Sequence, residues 1–559
     1  MARRSHAYPQ VRVDAAALAD VPAVAAPAGI GAGDALRLAR RRAARLLVAG
    51  ERCVLREDLA RAGALGLDDL AAADLARALP VVDARADEVL VRRALAAGAP
   101  LVAVRDRGGI VGAVAAPATR RAAASAAPLG ARFEHAVPRE VRALLARVAA
   151  LAAAHGAHAF AVGGLVRDVC RQAPVARRDL DVVIEGDGLG VARHLADALG
   201  GTLTEHPRFL TASVEAPGAG RIDVATARAE RYEAPGALPR VQPAGLAQDL
   251  ARRDFTVNAM AVELASGSFG LIDPHGGRAD LARRRLRVLH PLSYVEDPTR
   301  MLRAARYAVR LGLVPDRATR AAQALALRLV PYPALSGTRL AGEIERILAE
   351  ARPELILARA GAAGVWRLLD ARYRFTAPTR RRLAALPAAL AWARRRRLVV
   401  DAGDVVALTL AAGQPRAVAA AVLARLTAEG GPRERLERAL DASAGLAARL
   451  AAAASPSARA SCLRGLKPEE LAWHWLGGDA GVREAVDWFA ALGARRVAAL
   501  TGDDVVALGV PRGPAVARIL AELRDARLDG RITDRAMEED LVRHWMAKGG
   551  CAWPRNSSS

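Results

Sequence analysis

The residues able to do chemistry in this chain are concentrated between Gly163 and Arg306, in four short polar runs set among apolar ones. They are Gly163-Gly164-Leu165-Val166-Arg167-Asp168, Asp179-Leu180-Asp181, Arg252-Arg253-Asp254-Phe255-Thr256-Val257-Asn258 and Glu296-Asp297-Pro298-Thr299-Arg300. The apolar run Ala159-Phe160-Ala161-Val162 reads as a strand that ends in the glycine pair, where Gly163 and Gly164 let backbone N–H groups approach a phosphate closely. Such a turn suits a triphosphate. Asp179 and Asp181 lie two apart at the start of a strand pattern, so both carboxylates share a face while Leu180 and Val182 point into the core. Paired hard oxygens at that spacing suit Mg²⁺. Two such ions can hold the attacking and leaving oxygens of an in-line displacement at phosphorus, so the chemistry implied is nucleotidyl transfer.

Each run alone is common: a Gly-Gly pair is most often only a turn, and Asp-x-Asp most often a solvated loop. Their order lifts the reading, with a glycine turn after one strand, a helix-like segment, then the Asp pair on the next strand. This resembles the catalytic core of the DNA polymerase β-type nucleotidyltransferase superfamily, and the later motifs resemble the class II tRNA nucleotidyltransferase and bacterial poly(A) polymerase family. The resemblance is dense from about Val137 to Leu348 and thinner beyond. It implies that Gly163, Gly164 and Arg167 hold the nucleoside triphosphate and that Asp179 and Asp181 bind Mg²⁺. Asp223, on the alternating run Arg221 to Arg228, is a candidate third carboxylate; the competing reading pairs it with Arg221 or Arg228.

The resemblance further assigns Arg253 and Asp254 to the phosphates and ribose of the incoming nucleotide, with Asn258 bracing the turn. A guanidinium fork donates bidentately to phosphate, and a carboxylate accepts from a ribose hydroxyl. Asp297 and Arg300 correspond to the pair that selects C or A without a template, offering an acceptor and a fork of donors to a base edge. Arg303 and Arg306 then face phosphate, and the bland alternative is an amphipathic helix with a basic stripe. Asp297 is placed to cap that helix and Pro298 to occupy its first turn. Leu271 to Leu281 resembles a hinge segment, in which His275 reads as a solvated turn residue and not a metal ligand. Arg339 and Glu343 resemble a pair supporting the base-reading helix, with Thr338 where an acid is usual.

Around these runs, 559 residues allow roughly three to five domains. The hydrophobic fraction of 52% is largely alanine, and with aromatics at 4% the cores are expected from Ala, Leu and Val helices. A net charge of +23, nearly all from arginine, points to a polyanionic partner held through phosphates. The four cysteines have no paired spacing, against a disulfide frame or zinc ribbon. No apolar run follows the basic start, so a cytoplasmic protein without membrane association is expected.

The fold class expected is α+β multidomain: a polymerase β-type nucleotidyltransferase head, an all-α neck, body and tail, and an N-terminal α/β module. Residues 1–30 read as a lead-in, and 31–118 as a module resembling a degenerate pair of cystathionine-β-synthase-type (CBS) domains. Residues 119–136 read as linker, 137–290 as head, 291–350 as neck, 351–548 as tRNA-binding body and tail, and 549–559 as a loose end. In the module Asp58 keeps the acidic position that grips a ribose, while Ala115, Ala116 and Pro117 replace the Thr and Asp expected after Gly112, which favours a structural or dimerising role. A homodimer through this module is therefore expected as an option. Glu230 to Asp249 reads as a flexible loop, Arg380–Arg382 and Arg394–Arg397 as runs able to track RNA, and the turn before Pro514 as a helix start open to an RNA phosphate.

The activity expected is template-independent addition of CCA, or only its terminal A, to tRNA, with ATP and possibly CTP as substrates and Mg²⁺ as cofactor. The CBS-like segment, which resembles the adenosine-adding branch, tilts the reading toward A alone. A poly(A) polymerase shares every motif, and a nucleotide-sensing regulator with an inert transferase core is the alternative from another class.

Overall fold

The computed structural model describes residues 14–96, 98–115, 129–173, 175, 180–218, 220–265, 269–492 and 498–547. These form two compact units that meet in sequence at Ser336 and Gly337, inside the segment expected to be the neck.

The first unit opens with β1 (Val21–Ala26), α1 (Ala32–Arg41), β2 (Leu46–Ala49), β3 (Arg52–Leu55) and α2 (Arg56–Ala64), then β4 (Val81–Asp83), α3 (Glu88–Ala96), β5 (Leu101–Asp106) and β6 (Gly109–Ala115). One sheet of order β3-β2-β1-β6-β5-β4 results. Each half follows the same path: a strand, a helix, a parallel strand and an antiparallel hairpin partner. The expected lead-in 1–30 is corrected, because β1 lies at the centre of this sheet, parallel to β2 and antiparallel to β6. Its run Val-Pro-Ala-Val-Ala-Ala hides the strand, since alanine carries almost no inside–outside contrast.

The head begins earlier than residue 137. Gly130–Ala136 is helical, and Phe133 is fully buried and stacked on Phe269 at 4.3 Å, so the second half of the expected linker belongs to the head core. Residues 116–128, which carry the rest of that linker together with Ala116 and Pro117, lie outside the described residues, as does 549–559. There follow α4 (Arg139–Ala154), β7 (His158–Val162), α5 (Gly164–Cys170), β8 (Leu180–Glu185), α6 (Gly188–Leu199), β9 (Thr202–His206), β10 (Thr211–Ala216) and β11 (Gly220–Thr226). A hairpin of β12 (Arg228–Arg231) and β13 (Arg240–Pro243), then α7 (Leu246–Ala251), β14 (Ala261–Glu263), β15 (Leu271–Ile272) and α8 (Gly277–Ala282), complete it. The seven-stranded sheet has order β15-β14-β7-β8-β11-β10-β9.

Both faces of its middle are apolar, which fixes the register. Leu180, Val182 and Ile184 enter the core beneath α4 to α6, whereas Val183 joins Phe160, Val162, Leu246 and Leu250 on the opposite face. A one-residue slip would exchange these faces. The segment 230–249, expected to be a loop, is corrected to a hairpin and helix, because β12 pairs with β13 over four residues and Tyr232 is buried beside them.

Beyond the head, α9 (Ser293–Glu296), α10 (Arg300–Arg310) and α11 (Arg317–Arg328) close the first unit. In the second unit the described residues are helical from α12 (Gly337–Leu348) to a last helix Arg535–Ala547, with the final segments packed around Leu500, Val505, Ile519, Leu523 and Val542. Arg339 and Glu343 belong to α12, Glu343 being buried. Among the described residues no helix is long and apolar enough to cross a membrane.

The hinge-like segment is tightly braced. Asp273 accepts from the N–H groups of Gly277 and Arg278, and a Cβ on Gly277 would stand 2.2 Å from the Thr256 carbonyl oxygen. Overpacking against backbone costs about 1–3 kcal/mol. Gly277→Ala is therefore expected to lower the apparent melting temperature by several degrees in a thermal scan; an unchanged transition would show that the 255–258 turn yields freely.

Candidate active site

The site builds from the edge where β7 ends. Gly163 has φ +65°, a conformation that suits glycine, and a Cβ there would stand 3.3 Å from Asp181 Oδ2 and 3.4 Å from Arg253 Nη1. The glycine turn, the carboxylate and the guanidinium are thus neighbours although they come from three separate runs. Asp181 is exposed on β8 and stands in direct parallel register with Asp223 on β11. Asp179 lies outside the described residues. Asp223 serves both readings given to it: it sits beside Asp181, and it accepts from Arg221 Nε at 2.9 Å and Ser213 Oγ at 2.5 Å.

Arg253 is oriented from behind by Asp249, a residue the sequence reading missed. Asp249 is fully buried on α7 and accepts from Arg253 Nη2 at 2.9 Å and from Arg252 Nε and Nη2 at 3.0 and 2.6 Å. Burial alone would raise its pKa, but Arg253 and Arg252 hold it below the ordinary range. The signal was the helical spacing, three and four residues ahead of the two arginines. Arg252 also donates to Glu230 Oε1 at 2.7 Å, which ties the hairpin to the same cluster.

Arg167 and Asp254 are placed differently from the roles the resemblance implied. Arg167 is 4% exposed and spends its three donor nitrogens on Asp168, at 3.0 Å twice, and on Asn258 Oδ1 at 2.9 Å, with its guanidinium over the Tyr307 ring. Asp254 is also buried, accepting from the Phe255 N–H and Asn258 Nδ2 on one oxygen and from Arg303 Nε at 2.8 Å on the other. Both side chains act within the protein, as braces of the glycine turn and of α10. Arg303, expected toward phosphate, is accordingly paired with Asp254, and the Arg306 guanidinium lies over the Tyr307 ring.

Asp297 and Arg300 stand at the junction of α9 and α10. Asp297 accepts from the Thr299 N–H and Oγ1 at 3.0 and 2.6 Å, closing a turn ahead of a helix that starts at Arg300. Arg300 is buried and donates to Ser293 Oγ at 2.8 Å and to the Arg252 carbonyl at 2.9 Å, with Tyr232 Oη at 3.5 Å. Burial opposes its charge, yet Tyr232, Asp297, Glu296 and Glu230 together raise its pKa. Ser293 and Tyr232 were not visible as site residues, because their role depends on contacts 7 and 68 residues away in the chain. His275, expected to be solvated, is half-buried with its Nε2 enclosed, and burial with the nearby Arg287 lowers its pKa to about 4.

As a metal site, the described residues hold no group of three or more His, Cys, Asp or Glu. They do hold a pair of hard oxygen donors, Asp181 and Asp223, in register beside a glycine whose added Cβ would stand 3.3 Å from Asp181 Oδ2, and that donor chemistry fits a divalent cation.

Asp254 also yields a sign-definite expectation. Burial pushes its pKa up, but Arg303 and Asn258 outweigh it and hold the carboxyl below its ordinary value of 3.8. A depressed folded pKa adds stability above the unfolded value, and this is lost as pH falls through the folded one. The melting gap between the parent and Asp254→Asn should be full near neutral pH and shrink below about pH 4, read by thermal unfolding across pH. A gap independent of pH would mean that charge is not what Asp254 contributes.

Residues 159–287 match the Poly A polymerase head domain family. An A-adding tRNA nucleotidyltransferase of Geobacter sulfurreducens is 35% identical over 390 residues, covering 67% of this chain and 44% of that protein. A CC-adding tRNA nucleotidyltransferase of Deinococcus radiodurans is 36% identical over 391 residues, covering 69% of this chain and 88% of that protein. A CCA-adding enzyme solved in an apo form superposes with TM-score 0.65 at 26% identity, over 76% of this chain and 99% of the other. The chain spans half or less of the length of the A-adding relatives it matches.

Proposed function

This chain belongs to the tRNA nucleotidyltransferase family, and on that premise we propose that it extends tRNA 3′ ends without a template, adding the terminal A to tRNA ending in CC. The observation that carries the reading is the convergence of Asp181, Asp223, Gly163 and Arg253 at one sheet edge. ATP is the substrate in this reading, with CTP open, and Mg²⁺ the cofactor, which Asp179 and Asp181 would hold with Asp223 as the candidate third carboxylate. When bound, the ion would neutralise phosphate charge and make the 3′-OH easier to deprotonate.

The protein's own groups do the rest. The Gly163–Gly164 turn lets the triphosphate lie against backbone N–H groups, and Arg253, aimed by Asp249, donates to its phosphate oxygens. The 3′-oxygen of tRNA attacks the α-phosphorus, the bond from that phosphorus to the bridging oxygen breaks, and pyrophosphate leaves. The hydroxyl proton is accepted on the carboxylate face formed by Asp181 and Asp223. Asp297 offers the base edge an acceptor, with Arg300 held behind it by Ser293, Tyr232 and the Arg252 carbonyl, while Arg167, Asp254, Arg303 and Asn258 hold the surrounding turns in place.

A CC-adding reading has its own support, because the Deinococcus relative is matched along most of its length. The regulator reading is weakened by Asp58, the ribose-gripping position of a CBS-like half, which is fully buried and bound by Arg77 through two bonds of 2.5 and 2.7 Å. The two matching halves of the N-terminal sheet support a CBS-like module of structural role, and dimerisation through it would double the mass seen in sedimentation.

Transcripts ending before CCA, after C and after CC, each offered ATP or CTP alone, test the proposal. One A added to the CC end is expected, and failure to use ATP there refutes the proposal; CTP incorporation on the shorter ends decides for a CC- or CCA-adding reading, and long A tails for a poly(A) polymerase. Asp181→Ala should reduce incorporation at least ~10³-fold, the order of effect seen when groups that stabilise transition-state charge are lost, with the melting temperature kept. Full activity in that variant would refute the site.

A further inference from the structure

The N-terminal module touches the base-reading segment at named points. Arg61, on α2, donates to Glu296 Oε1 at 3.0 Å, and the other Glu296 oxygen lies 3.2 Å from His290 Nε2. Arg77, held by Asp58, donates to the Leu289 carbonyl at 2.9 Å. Arg328 pairs with Asp74 at 2.6 Å, and a Cβ on Gly98 would stand 2.3 Å from the carbonyl carbon of His275. The module therefore grips both ends of the run 289–296 and packs on the hinge-like turn.

What lies on that run makes the grip consequential. Glu296 is the last residue of the four-residue helix α9, Asp297 follows it directly, and Ser293 at the start of α9 holds Arg300 through its hydroxyl. One short element thus connects the Arg61 contact to both Asp297 and Arg300. Glu296 is 7% exposed, and although burial would raise its pKa, His290, Arg61 and Arg300 bring it down to about 2, so it is a buried carboxylate that needs its cation. Removing one partner of such a pair leaves a charge unpaired, which forces the carrier to shift or to hydrate.

We propose that Arg61 is a positioning residue for nucleobase selection, acting through Glu296 and α9 on Asp297 and Arg300, and that the N-terminal module is in this way part of the specificity apparatus. This rests on the transferase reading above. Arg61 touches no substrate. Its effect is on where the base edge is read, so it should appear in the binding and choice of nucleotide and not in the chemical step.

The test uses the full chain and tRNA ending in CC, with ATP and CTP measured separately. For Arg61→Ala, the expected result is a KM for ATP raised about 5- to 20-fold, at or below the roughly tenfold and more of a directly lost charge-assisted bond because the effect is transmitted through α9, with kcat within about twofold and the ATP-to-CTP preference reduced. Arg61→Lys, which keeps the charge, should recover much of the preference. Glu296→Gln should mimic Arg61→Ala, and the two together should be no worse than either alone. Unchanged KM and preference in Arg61→Ala, or a fall in kcat that only tracks loss of folded protein, would overturn the inference. An inactive parent protein would instead refute the transferase reading, so the two failures are distinct.

Discussion

Buried arginines set the constraint on which the head depends. Arg167 and Arg300 are withdrawn from water, as are the carboxylates Asp249 and Asp254, and Arg252 and Arg253 are partly so. An ion taken from water into a protein interior costs several kcal/mol unless its partners are well placed. Asp249 is met by Arg252 and Arg253, Asp254 by Arg303 and Arg167 by Asp168, while Arg300 is held by the neutral oxygens of Ser293, Tyr232 and the Arg252 carbonyl. The pairing requires α7, the 254–258 turn, the hairpin and α10 to arrive together. Apolar packing brings the sheet to its register, and charge pairing then decides how the segments above it are oriented.

This division explains what could be read in the sequence. The strands around Asp181 and Asp223 were legible because Leu180 and Val182 flank the first carboxylate and Ile222 and Val224 the second, and the period of two carries the facing with it. The glycine turn was legible because its conformation restricts the residue type. The roles of Arg167 and Asp254 were not, because an arginine and an aspartate in a motif look the same whether they face a phosphate or one another. Only the partner distinguishes them, and Asn258 and Arg303 lie 91 and 49 residues away. Alanine obscured the rest: β1 and the helix before α4 offered too little contrast between inside and outside to be bounded.

The same network separates what orders the site from what contacts a substrate. Asp181 is exposed and Asp223 keeps about a third of its side chain accessible, whereas the residues behind them are nearly all enclosed. Preorganisation of this kind places few groups at the surface and fixes each from beneath. Arg253 illustrates it: one guanidinium nitrogen is held by Asp249 while another lies beside the glycine turn, so the helix α7 aims a donor at that turn.

Arg300 is the least free of these groups, since Ser293, the Arg252 carbonyl and Tyr232 surround it. Its orientation cannot change without moving α9, the hairpin or α7. The hairpin itself is tied to α9, because the Gly236 N–H donates to the Val295 carbonyl at 2.9 Å. The surroundings of Asp297 and Arg300 are therefore set jointly by three elements of the head and, through Glu296, by the module that precedes it. The conformation of Arg300 thus belongs to the arrangement of these elements more than to its position in the sequence.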